Sequence, residues 1–237
     1  MQKLLSPMRK AIQDYEMIKN GDVVAVGVSG GKDSMAMLAG LAYLRKFIGI
    51  DYRLHAIVID MGHKDYRADY GPLQKFCDEI DVPLHIKYTE IGHVIFDIRK
   101  ESNPCALCAR MRRGSLHDAA KEIGCNVLAL GHHKDDAIET FFMNLFNEGR
   151  IGCFRPVTYL SRKEITAIRP MILCDESLIT STVKRLQIPV QKSGCPADGV
   201  TNREKMKQYL SDMEYHDRGF KERIFGAMKR AHLDGLN

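Results

Sequence analysis

Apolar positions along this chain alternate between two spacings. Leu4, Leu5, Met8, Ala11, Ile12, Tyr15 and Ile18 recur at helical intervals, and Asn20-Gly21 supplies a stop, so the chain should open with a helix. Residues 23–28 are then an unbroken apolar run, as in a strand buried on both faces. Met35, Leu38, Leu41, Ala42 and Leu44 return to helical spacing. The alternation continues with strands predicted at 54–60, 84–88, 126–130 and 165–169, the last halted by Pro170. Helices are predicted at 72–80, 105–124, 137–147 and 176–186, and a less regular helical pattern spans 90–102. Residues 150–163 and 189–200 read as irregular, and two helices, 202–213 and 220–232, end the chain.

Strands alternating with helices imply an α/β protein: a doubly wound parallel sheet with helices on both faces and a helical C-terminal part. We divide it into a domain over residues 1–187 and a helical extension over 188–237, with no linker-like stretch between them.

Composition narrows the class. The chain has 237 residues, enough for a sizeable core, and a formal net charge of +5, which permits a nucleic-acid partner without demanding one. No apolar run approaches the ~18 residues of a membrane span, and the amphipathic start lacks a signal peptide's apolar stretch, so a cytoplasmic protein is expected. Seven cysteines, an odd count, point to metal or catalytic thiols rather than disulfides.

Two strand-end loops carry candidate chemistry. Ser29, Gly30, Gly31, Lys32, Asp33 and Ser34 join the first strand directly to a helix. Free N–H groups at that helix start, glycines that let the backbone approach a ligand, and the Lys32 charge all suit an anion. The loop is not a Walker A motif, because Asp33, not Ser or Thr, follows Lys32. Asp60 ends the second predicted strand, where doubly wound sheets place ligands. After the fourth predicted strand come Gly131, His132, His133, Lys134, Asp135 and Asp136. Here His132 can hydrogen-bond a phosphate, and Asp135 and Asp136 can hold Mg²⁺ or simply complement a helix N-terminus.

Cysteines form the third feature. Cys105 and Cys108 make a CxxC, and Cys195 stands far downstream before Pro196. Spacing alone leaves three options open: a zinc site completed by Cys174 or a histidine, a redox pair, or an iron–sulfur cluster on three thiolates. Cys77, Cys125 and Cys153 read as small apolar fillers. Arg110, Arg112 and Arg113 follow the CxxC and could meet nucleic-acid phosphates or form a solvated helix face. Lys205, Lys207, Lys221, Arg223, Lys229 and Arg230 read as a basic solvated surface on the last helices.

The string SGGKDS resembles the signature of the PP-loop, or N-type, ATP pyrophosphatases, and GHHKDD resembles their GHxxDD motif. With PCALCARMRRG, IRPM and the late Cys-Pro in the same order, nearly the whole chain is similar to the tRNA 2-thiocytidine synthetase family. The resemblance implies an ATP-dependent sulfurtransferase that adenylates the C2 carbonyl of a tRNA anticodon-loop cytidine, at position 32, and exchanges its oxygen for sulfur. It implies ATP, Mg²⁺ and a [4Fe–4S] cluster as cofactors, with Cys105, Cys108 and Cys195 as the cluster ligands. It further implies Lys32, Asp33, His132, Asp135 and Asp136 in catalysis, and the SGGKDS loop, Asp60 and Gly131 around the nucleotide. The implied partners are tRNA and a sulfur donor, either a cysteine desulfurase or free sulfide; a homodimer is compatible with the sequence. Two rivals are a lysidine synthetase-type ligase, whose chemistry needs no metal thiolates, and a nucleotide-binding redox sensor without turnover.

Overall fold

Strand β1 (Asp22–Gly27) is the axis of the sheet. Its Val24, Ala25 and Val26 are fully buried, as a strand covered on both faces requires. It pairs in parallel with β2 (Tyr52–Asp60) on one side and β4 (Val127–Ala129) on the other. Beyond them, β3 (Leu84–Tyr88) and β6 (Ile165–Ile168) extend the sheet, again in parallel. An antiparallel edge strand, β5 (Val157–Leu160), completes the order β3-β2-β1-β4-β6-β5. The computed structural model describes residues 1–64, 66, 68–99, 104–191, 194–195 and 202–237.

That edge strand corrects the sequence-based expectation on one point: residues 150–163 were expected to be loop, and the otherwise parallel sheet gains an antiparallel edge there. Only four residues of this segment pair, and they carry no long apolar run; Tyr159 is largely solvent-exposed. An edge strand held from one side leaves little periodic signal.

Alternating side chains of the central strands feed two unequal cores. Val24, Val26, Leu54, Ala56, Val127 and Ala129 face the larger one. It includes residues of α1 (Gln2–Asp14), α2 (Lys32–Leu44) and α7 (Glu176–Leu186), which pack on one another. The intervening Ala25, Ile57 and Leu128 meet Leu116, Ala119 and Ala120 of a single long helix. By chain order it is α5 (Pro104–Ile123), preceded by α3 (Gly71–Glu79) and the short α4 (Ile91–His93) with its π-helical continuation Val94–Arg99. The helical pattern at 90–102 therefore forms over 91–99, and its last residues lie outside the described ones.

The C-terminal part shares the larger core. Helices α8 (Asn202–His216) and α9 (Phe220–Arg230) pack on α6 (Lys134–Glu148). Leu210, Phe225, Met228 and Leu236 join the same cluster as β1. Most of the irregular segment at 189–200 lies outside the described residues. Among the described residues no helix is long and apolar enough to cross a membrane.

The cohesive energy should follow this layering. Leu38 of α2 is fully buried, so Leu38→Ala should cost about 2–5 kcal/mol in urea unfolding. Tyr159→Ala on the exposed edge should cost about 0.5 kcal/mol or less. Equal losses would show that the α2 layer is not the dominant core.

Candidate active site

The strand order reverses between β1 and β4, so the loops leaving their carboxyl ends diverge and open a crevice. Both candidate loops border it. The first is knitted by its own hydroxyls. Ser34 Oγ accepts from the Ser29 N–H at 3.1 Å and donates to the Gly31 carbonyl at 2.9 Å. Gly30 takes a φ of +81°, which only glycine adopts cheaply, and its carbonyl accepts from the Gln191 N–H at 2.9 Å. The second loop lies directly against the first: a Cβ on Gly131 would sit 3.2 Å from the Ser34 nitrogen and 3.3 Å from its Cα. Gly131 thus lets two backbones approach.

Helix α6 starts with a capping box, in which Asp136 accepts from the His133 N–H at 2.9 Å and His133 Nδ1 accepts from the Asp136 N–H at 3.4 Å. The box turns the other nitrogen of His133 toward the first loop: Nε2 lies 3.7 Å from Asp33 Oδ1 and 3.4 Å from Asp136 Oδ2. Lys32 Nζ sits 3.0 Å from both Asp33 oxygens and 2.9 Å from Glu176 Oε1. Burial pulls the Lys32 pKa down, but Glu176 and Asp33 outweigh it and hold the ammonium protonated. The structure therefore brings Ser29, Gly30, Gly31, Lys32, Asp33, Ser34, Gly131 and Asp136 to one crevice. Asp60, at the end of β2, is held by the Gly62 N–H and the Tyr70 hydroxyl, each at 2.8 Å.

Asp135 departs from its expected place beside Asp136 on a metal. Its oxygens accept from the Glu176 N–H at 2.8 Å and Lys221 Nζ at 2.9 Å. Asp136 instead takes Arg203 at 2.7 Å. Lys207 Nζ reaches Glu176 Oε1 at 2.6 Å. Lys207 and Lys221, expected on a solvated surface, are thus turned inward onto acids because α8 and α9 pack over α6.

His132 has different surroundings. It is half-buried, its ring 5.0 Å from that of Phe154, and the Arg169 guanidinium lies 4.8 Å from the other ring's centroid. Among the described residues, His132 Nδ1 and Arg169 Nε are buried without a partner. Burial, with Arg169 adding to it, pushes the His132 pKa down to about 4, and burial with Arg113 pushes that of Arg169 down to about 10. Arg169, Phe154, His133, Glu176, Arg203 and Lys207 escaped sequence reasoning as site residues. Arg169 stood in the noticed string IRPM and His133 in GHHKDD, without a role assigned to either.

The three cysteines form a neighbouring group. Cys105 lies in the first turn of α5, and Cys108 one turn later. Burial pushes the Cys108 thiol up; Arg112 opposes the rise, and Cys195 and Cys105 add to it. Cys108 is thus an electrostatic neighbour of both Cys105 and Cys195. Among the described residues, no three His, Cys, Asp or Glu side chains converge as on a single metal ion. Cys174, the candidate fourth zinc ligand, is fully buried in the larger core, its thiol pushed up to about 12. Arg110, Arg112 and Arg113 are exposed along α5.

A model of the PP-loop domain matches residues 3–210. The chain is 35% identical over 233 residues to a tRNA-cytidine(32) 2-sulfurtransferase from Pelobacter propionicus, covering 97% of this chain and 86% of that protein. It is 37% identical over 226 residues to the enzyme of the same name from Citrifermentans bemidjiense, covering 94% and 88%. Among solved structures it is similar to the U34-tRNA thiolase NcsA from Methanococcus maripaludis, determined with its [4Fe–4S] cluster. That match has a TM-score of 0.81 at 28% identity and covers 97% of this chain and 78% of the other.

The enclosure of His132 predicts a pH effect on stability. With a folded pKa near 4 and an unfolded one near 6.5, the unfolded chain binds the extra proton first. The contribution of His132 is complete above pH ~6.5 and is lost as pH falls toward ~4. His132→Gln should flatten the urea-stability profile in that window; an unchanged slope would place its titration elsewhere.

Proposed function

The chain belongs to the tRNA-cytidine(32) 2-sulfurtransferase family of PP-loop proteins, and from that premise we propose how its residues carry out ATP-dependent tRNA thiolation. The target is the C2 carbonyl of cytidine 32 in the anticodon loop. Its oxygen attacks the α-phosphorus of ATP, the bond to the β-phosphate oxygen breaks, and pyrophosphate leaves. The oxygen then departs with AMP as sulfur bonds to C2. The sulfur enters at the sulfide level, as free sulfide or as desulfurase persulfide reduced by a two-electron thiol reductant, and the reaction proceeds in the cytoplasm with its tRNA.

The observation that supports this reading most is the approach of Gly131 to Ser34, which sets the two loops side by side at the sheet's switch point. The N–H groups of the first loop and Lys32 would bind the ATP phosphates, and Asp60 would face the nucleoside. Asp33 and Asp136 both approach His133 Nε2; they would hold Mg²⁺, which would neutralise phosphate charge. Asp135 acts at one remove, anchoring Lys221 and the start of α7. His132 and Arg169, each with a nitrogen free of protein partners, would face the reacting base and its developing charge.

Cys105, Cys108 and Cys195 fit a [4Fe–4S] cluster. Thiolates are the usual ligands of such a cluster, Cys108 has Cys105 and Cys195 as electrostatic neighbours, and Arg112 favours its thiolate form. Bound there, the cluster would supply an iron without a protein ligand, able to carry sulfide. Arg110, Arg112 and Arg113 would steer tRNA phosphates toward the same edge.

Two measurements test the reading. Lys32→Ala should lower tRNA-dependent pyrophosphate release at least about tenfold, or about 1.4 kcal/mol of barrier, in a protein that still folds. Alanine at Cys105, Cys108 or Cys195 should abolish iron content and thiolation in anaerobic preparations while ATP binding survives. Near-stoichiometric zinc without iron, in protein that still thiolates tRNA, would overturn the cluster assignment.

A further inference from the structure

The C-terminal helices bring a second cation to the first loop. Lys207 Nζ and Lys32 Nζ contact the same oxygen, Glu176 Oε1, at 2.6 and 2.9 Å. Two ammonium groups on one oxygen can stand no further apart than the sum of those contacts. They are therefore close enough to share one phosphate group. The convergence is built into the helix. Arg203, Lys207 and Leu210 recur at three- and four-residue spacing, so they share a face of α8. Leu210 is buried in the larger core and Met206 packs against it, which turns that face inward. Arg203 reports the same orientation through its contacts with Asp136 at 2.7 Å and Thr140 at 3.1 Å. Glu176 is fixed in turn, since its own N–H is bound by Asp135.

We propose that Lys207 is a second pyrophosphate-binding cation of the adenylation site, and that the Glu176 carboxylate holds the place of a phosphate oxygen between Lys207 and Lys32 until ATP displaces it. The proposal rests on the ATP-dependent reading above. In the adenylation step, the electron pair of the broken bond to the α-phosphorus goes to the pyrophosphate oxygen. Positive charge near that oxygen favours the step. Lys32 alone supplies one charge beside Asp33, which offsets it at 3.0 Å. Lys207 supplies a charge whose nearest acid is the displaceable one. Burial pulls the Lys207 pKa down, but Glu176 outweighs it, so Lys207 remains a full cation at neutral pH. Glu176 therefore has two effects: it keeps a cationic pocket neutral when empty, and it competes with the ligand.

Calorimetric titration with ATP, inorganic pyrophosphate and AMP, each with Mg²⁺, tests this on the full chain. Lys207→Ala should weaken ATP and pyrophosphate about tenfold and leave AMP unchanged, because AMP lacks the phosphates that Lys207 would touch. Lys207→Arg should restore most of the loss. Glu176→Gln should tighten pyrophosphate binding severalfold, since an internal competitor has lost its charge. A merely structural role for Lys207 would weaken all three ligands alike and would overturn the proposal. So would a Lys207→Ala protein that binds all three as the parent does. If Lys32→Ala abolishes ATP binding in that second case, the ATP-dependent reading stands without this inference. A parent protein that binds neither ATP nor pyrophosphate would overturn both.

Discussion

The close passage of two loop backbones governs this molecule. Where β1 and β4 lie side by side, the chain leaves one strand into α2 and the other into α6, so two helix N-termini open at one crevice. Helix starts carry unsatisfied N–H groups and partial positive charge. Each would be a weak anion site alone. Gly131 against Ser34 sets them at van der Waals contact, and a side chain there would wedge them apart. Every other site feature is placed relative to this contact: the His133 cap facing Asp33, Lys32 over the crevice, and the C-terminal helices across α6.

Such a concentration of positive ends needs internal compensation when no ligand is bound. Glu176 provides it. Burial alone would raise its pKa, yet Lys207 and Lys32 hold it down to about 2, so it remains ionised throughout the neutral range. A depressed carboxyl stabilises the fold above its unfolded pKa, near 4.3, and that contribution fades only as pH falls toward ~2. The contact between Glu176 and Lys207 is accordingly insensitive to pH near neutrality. Glu139, one turn beyond Asp136, behaves oppositely. Burial and Asp136 push its pKa up to about 7, against Arg203 and Lys207. The same helices thus hold one carboxyl firmly charged and leave its neighbour near its titration point.

Much of this was legible in sequence, for identifiable reasons. The buried strands announce themselves because both faces are apolar, and the phosphate loop because strand, glycines and lysine are contiguous. Glu176 and Lys207 gave no such signal. Each looks like a surface charge on its own helix, and their pairing joins residues 31 positions apart through the docking of α8 on α6. Sequence spacing cannot reveal a contact that depends on how two helices cross. A trace existed in the three- and four-residue recurrence of Arg203, Met206, Lys207 and Leu210, which places two cations on an apolar face. Charged residues on an inward stripe require acids opposite them.

The same logic separates the roles of the two motif histidines. His132 matches the family pattern, and its adjacent histidine looks incidental. In three dimensions His133 caps α6 and faces Asp33 and Asp136, whereas His132 points into the enclosure with Phe154 and Arg169. A histidine set between carboxylates is suited to holding their geometry. A histidine kept neutral by burial, beside an arginine weakened by burial and by Arg113, retains a nitrogen for a ligand. The different surroundings of the two rings follow from a single turn of backbone. The strand brings the pair to the crevice, and the capping box decides which ring faces which side.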